Sequence, residues 1–130
     1  MKKIILIFLI VPVFCYSQKK DYKSYDKAVK YFYEGNYEKA KKTALKITYK
    51  YPDWNKPYLL LASICASQNN IEKAVEFLLN VYDVNNTEDY NGIEQIIELY
   101  YNNGYYNEAL YYLQKISDIH PKYSKIDSNL

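Results

Sequence analysis

The chain predicts an all-α protein: three copies of a helix-turn-helix hairpin stacked into a solenoid, preceded by a cleaved export signal. Three observations carry that expectation. One turn-then-helix phrase is written three times, as EGNYEKA at 34–40, QNNIEKA at 68–74 and NGYYNEA at 103–109. The alanines that close it, Ala40, Ala74 and Ala109, stand 34 and 35 residues apart, a period typical of stacked helical hairpins. Around each alanine, apolar residues recur at spacings of three and four, the pattern of a helix with one buried face.

Taken in chain order, residues 1–17 come first and form a separate object. Lys2 and Lys3 precede an apolar run of 11 residues, Ile4 to Phe14, which is followed by Cys15-Tyr16-Ser17. A basic start, a short apolar stretch and a small-x-small site describe a secretory signal peptide cut after Ser17. The run is too short to span a bilayer, which takes about 20 residues. Cys15 as a lipoprotein cysteine is disfavoured by the bulky Phe14 directly before it. The expectation is export to a periplasm or cell envelope, or secretion. Lys2 and Lys3 leave with the signal, so 17 basic residues become fifteen against fifteen acids. A mature chain without net charge offers nothing to recruit nucleic acid or an anionic membrane. Cys15 leaves too, so Cys65 remains alone and no disulfide can staple the domain.

The mature part, 18–123, divides into three repeats at about 21–54, 55–88 and 90–123, with a short tail at 124–130. The periodicity predicts helices at about 22–34, 37–50, 56–68, 71–84, 89–102 and 105–118. Five residues before each closing alanine stand Gly35, Asn69 and Gly104, types that tolerate the positive φ a helix end needs. Small residues at Ala28, Ala40, Ala62, Ala74 and Ala109 let paired helices approach closely. Pro52 and Pro121 stop the second helices of their repeats, because proline cannot continue the backbone ladder. Pro57 suits the first turn of the next helix, where its missing N–H costs nothing. Of the 130 residues 18 are tyrosine, and with frequent Lys, Asn and Ile and no Arg this usage is explained first by AT-rich coding.

The chain resembles the tetratricopeptide repeat family over essentially its whole mature length. The residues carrying the resemblance are Ala28, Gly35, Tyr37, Ala40 and Pro52 in the first copy. Tyr58, Leu61, Ala62, Ile71 and Ala74 carry it in the second, and Ile97, Tyr100, Gly104, Tyr106, Ala109 and Pro121 in the third. Ser24 and Lys27 depart from it, where the family prefers large apolar residues, as does an extra residue near 84–88. The resemblance implies a right-handed α-solenoid whose concave groove is lined by the first helix of each repeat. Laid on this chain, it points Tyr22, Tyr25, Val29, Phe32 and Tyr33 inward from the first repeat. Leu59, Ser63 and Ser67 follow from the second, and Glu94, Glu98 and Tyr101 from the third. Family members that grip a C-terminal carboxylate use two lysines, two asparagines and an arginine. Tyr25, Val29, Leu60, Asn91 and Gln95 occupy those places here, and none supplies the matching type.

Catalytic chemistry finds little material. His120 is the only histidine, and beside Pro121 it reads as a cation near a helix's negative end rather than a base. Cys65, with Leu61 and Ala62 one turn before it, reads as a core residue. No cluster has metal-ligand spacing, and three glycines do not make a phosphate loop. The sequence therefore predicts no enzyme, no cofactor and no metal. It predicts an exported module that binds a protein or peptide partner in its groove. The alternative is a structural part of a larger cell-envelope assembly, including a homodimer through the C-terminal repeat. Leu110, Leu113 and Ile116 of the final helix would form that contact, since only the stub KYSKIDSNL follows Pro121 to cover them.

Overall fold

The computed structural model of the protein describes residues 19–82 and 91–119. Residues 1–17, the longer connection near 84–88, His120, Pro121 and the tail at 124–130 lie outside the described residues. Among the described residues there are six helices and no strand: α1 Tyr22–Tyr33, α2 Tyr37–Lys50, α3 Asn55–Ser67, α4 Ile71–Val81, α5 Asn91–Asn102 and α6 Tyr106–Ile119. None is long and apolar enough to cross a membrane. All six predicted helices are present, with ends within three residues of the expected ones.

The thrice-written phrase has one physical cause. Gly35, Asn69 and Gly104 have φ of +73°, +60° and +83°, the left-handed conformation that closes a helix. In each copy the next amide reaches back to the third-last helical carbonyl: Asn36 N–H to Tyr31 O at 2.9 Å, Asn70 to Cys65 at 2.8 Å, Tyr105 to Tyr100 at 3.0 Å. The turn residue itself bonds one position later, Gly35 to Phe32, Asn69 to Ala66 and Gly104 to Tyr101. Asn36 and Asn70 then cap the following helix, each accepting from the amide three residues on, Lys39 and Lys73. One asparagine thus serves the end of one helix and the start of the next. Tyr105 has no such oxygen within reach, and its ring instead leans on Tyr100, centroids 6.0 Å apart.

Ser24 has a local task. Its amide and hydroxyl both donate to the Asp21 carboxylate, at 3.0 and 2.6 Å, which caps the start of α1. Those bonds, the hydroxyl foremost, hold the Asp21 carboxyl below its ordinary value.

Packing follows the alanines. Ala28, Ala40, Ala44 and Ala74 have no exposed surface, and Ala62 and Ala109 have 5%, so backbones meet closely within each hairpin. Around them Leu61, Ile64, Ile71, Ile96 and Cys65 fill one continuous core. Each helix packs on its chain neighbours, α1 also touching α3. Near-neighbour packing of this kind fits a stack of helical hairpins in the general sense. Cys65 is buried, as read from the sequence, and burial pushes its thiol above the ordinary value.

Two packing features escaped the sequence. Trp54, at the N-cap of α3, is 4% exposed and gathers three rings: Tyr22 at 5.0 Å, Tyr25 at 5.4 Å and Tyr51 at 6.2 Å between centroids. Gly92 in α5 lies beneath Tyr82, whose ring occupies the space a side chain at 92 would need. A close approach of this kind admits glycine alone.

Candidate functional site

Stacked hairpins leave space where the side chains between them are small. One such space, about 320 Å³, runs between α3 and α5, the first helices of the second and third repeats. From α3 come Leu59, Ala62, Ser63 and Ala66. From α5 come Gln95, Glu98, Leu99 and Asn102, with Asn103 just past its end. Leu78 of α4 closes the floor. Ser63 and Ala66 are too short to reach across, and that shortness opens the groove.

The polar groups of the wall are partly committed. The Ser63 hydroxyl donates to Leu59 O at 3.0 Å, and the Asn103 side-chain amide donates to Leu99 O at 2.7 Å. The Gln95 amide donates to the Tyr82 hydroxyl at 3.0 Å, which also pins Tyr82 over Gly92. Glu98 is exposed at the rim. The arrangement is an apolar floor with an amide and carboxylate rim, suited to laying down an extended chain.

Of the residues expected at the groove, three come together there: Leu59, Ser63 and Glu98. The five from the first repeat do not line it. Tyr22 and Tyr25 pack on Trp54, and burial raises the Tyr25 phenol above its ordinary value. Val29 and Phe32 are half-buried against the core, Phe32 between Tyr33 at 5.5 Å and Tyr37 at 5.8 Å. Tyr33 projects outward, 82% exposed. Ser67 and Glu94 are exposed on the same two helices without lining the groove, and Tyr101 turns to Tyr106, 5.4 Å away. Sequence reasoning did not place Ala62, Ala66, Leu78, Leu99, Asn102 and Asn103 at the groove, and it named Gln95 only as failing to match a carboxylate-gripping residue. For Gln95, Leu99 and Asn102 the signal was present in the same helical register, one step round from Glu94, Glu98 and Tyr101.

The other surfaces carry less organised chemistry. Among the described residues no three His, Cys, Asp or Glu side chains come close enough to hold a metal ion. Tyr100 and Tyr112 stack with centroids 5.9 Å apart, and burial raises both phenols. On α6, Ile116 is fully buried and Leu113 half-buried, while Leu110 and Tyr111 are exposed. The apolar face expected to stay open at the end of the stack is therefore narrower, because α6 turns Ala109, Tyr112 and Ile116 inward.

No protein-family model matches the chain, and no curated protein aligns with it closely enough to count as a relative.

Proposed function

We propose that this chain is an exported, non-enzymatic interaction module of the tetratricopeptide kind, binding a segment of a protein partner in the groove between α3 and α5. The observation that carries the reading is that groove: an open trough between the first helices of consecutive repeats, with an apolar floor and a polar rim. Three left-handed helix ends in one register support the repeat reading beneath it. Export rests on the 1–17 pattern in the sequence.

The test replaces a small wall residue by a large one. Ser63→Trp fills the trough from an exposed position and should leave the melting temperature within about 2 °C, surface changes costing under about 0.5 kcal/mol. Partner capture from an envelope extract should then be lost, while Tyr111→Lys on α6 leaves it intact. Capture that survives Ser63→Trp and fails with Tyr111→Lys transfers the working surface to α6. That outcome would favour the second reading, a self-associating or scaffolding part, for which exposed Leu110 and Tyr111 are the specific observation.

A further inference from the structure

The groove has a sign. Among the residues that line it, Glu98 carries the one charge, and no lysine or histidine is present. Ser63 has spent its single hydrogen on Leu59 O and can only accept. The Asn103 nitrogen spends one N–H on the Leu99 carbonyl and keeps a second, while the amide oxygen can accept. Gln95, donating one N–H to the Tyr82 hydroxyl, likewise offers both a carbonyl oxygen and a second N–H, so the sign of the groove is set by Glu98. Among the described residues Glu98 is in no ion pair; the pairs that form, Lys30 with Glu34 and Lys73 with Glu76, lie elsewhere.

Backbone polarity points the same way. Ala66 is the next-to-last residue of α3, and Asn102 and Asn103 mark the end of α5. One end of the trough therefore lies against two helix C-termini, whose partial negative charge favours cations and disfavours anions. The lining beside Glu98 includes the apolar side chains of Leu59, Ala62, Ala66 and Leu99. A lysine or arginine suits such a lining, with an apolar stem and a charged head.

We propose that the partner segment enters the groove with a lysine or arginine side chain. Its stem lies over Ala62, Ala66 and Leu99, its head donates to the Glu98 carboxylate, and the Ser63 and Asn103 oxygens accept the remaining N–H groups. Charge complementarity selects this occupant: an acidic or carboxylate-terminated segment would meet Glu98 and two helix C-termini unpaired. The inference rests on the groove reading above and adds the chemistry of what the groove takes.

The experiment uses an array of acetylated, amidated heptapeptides, each varying its central residue over lysine, arginine, norleucine, citrulline, glutamate and leucine in several sequence contexts. Fluorescently labelled mature protein is the probe of retention. Lysine and arginine peptides should be retained in preference to norleucine and citrulline, which keep the shape and lose the charge. Glu98→Gln should lower affinity for the retained peptides by up to about fivefold, as expected for an ion pair to an exposed carboxylate. Raising salt should weaken wild-type binding and have little effect on the variant. Ser63→Trp separates the two claims. If peptides are lost with Ser63→Trp yet show no preference for a cation, or bind Glu98→Gln equally well, the groove stands and this inference falls. If cationic peptides bind Ser63→Trp as well as wild type, or no peptide is retained at all, both fall.

Discussion

Replacing Trp54 by alanine is the sharpest test of how the first two repeats are joined. Trp54 is 4% exposed and touches the rings of Tyr22, Tyr25 and Tyr51. Truncating a buried tryptophan costs about 3–5 kcal/mol. The lower end applies here, because Tyr22 is 51% exposed and has room to fold into part of the void. The effect is not one of capping: Trp54 makes no side-chain cap bond to α3. Trp54→Asp, which supplies a cap worth about 1 kcal/mol, should therefore stay well below wild type in stability. A domain of this size has about 5–15 kcal/mol to lose. A loss of 3 kcal/mol lowers the melting temperature by roughly 12 °C or more, and Trp54→Phe should recover most of it. Circular dichroism gives the melting curves, and hydrogen exchange locates the damage. Since each helix packs mainly on its chain neighbours, protection should fall in α1 to α3 and hold in α6. A Trp54→Ala melt within about 4 °C of wild type, about 1 kcal/mol by the same conversion, would refute this account of the junction.

Four further outcomes are expected. Ala74→Leu, at a position with no exposed surface, should overpack the α3–α4 contact at a cost of about 1–3 kcal/mol; an unchanged urea midpoint contradicts the packing described. The Cys65 thiol and the Tyr25, Tyr100 and Tyr112 phenols are all raised, chiefly because burial penalises their charged forms. The unfolded chain thus ionises first, so stability complete below the ordinary thiol and phenol values, about 8.5 and 10, should be lost as pH climbs from them through the raised folded values; a melting temperature flat to pH 11 counts against it. Mass spectrometry of protein recovered from the envelope should find Gln18 at the N-terminus and no lipid; an intact Met1 or a diacylglyceryl Cys15 sinks the export reading. If two copies meet through α6, sedimentation at micromolar concentration should show a dimer that Leu110→Lys returns to monomer; a monomeric wild type removes that branch.

The fold was largely legible because its information is local. A helix end needing positive φ leaves few residue types to choose from, and Gly35, Asn69 and Gly104 announce it three times. Close backbone contact needs alanine, so Ala28, Ala40, Ala74 and Ala109 announce the pairing of helices. Trp54 and Gly92 were illegible for the opposite reason. Nothing in the spacing of 51–55 says that a tryptophan between two helices folds back under tyrosines thirty residues earlier. Gly92 sits inside a helix, where glycine usually weakens the helix, and only the Tyr82 ring above it explains its presence.

The site was half legible, and the division follows from what a helical register can and cannot say. Register gives the direction of a side chain from its own helix axis. On α3 and α5 that was enough: Leu59, Ser63 and Glu98 do face the groove. On α1 the same register was followed, yet the space it points into is already filled. Trp54 arrives from the connection between α2 and α3 and claims Tyr22 and Tyr25, while Phe32 settles between Tyr33 and Tyr37. Large side chains facing inward close a concave surface; small ones leave it open. Tyr22 and Tyr25, expected at the groove, thus consolidate the first repeat. Ser63, and Ala66 which the sequence did not single out, are short enough to leave the volume open beside the Glu98 carboxylate.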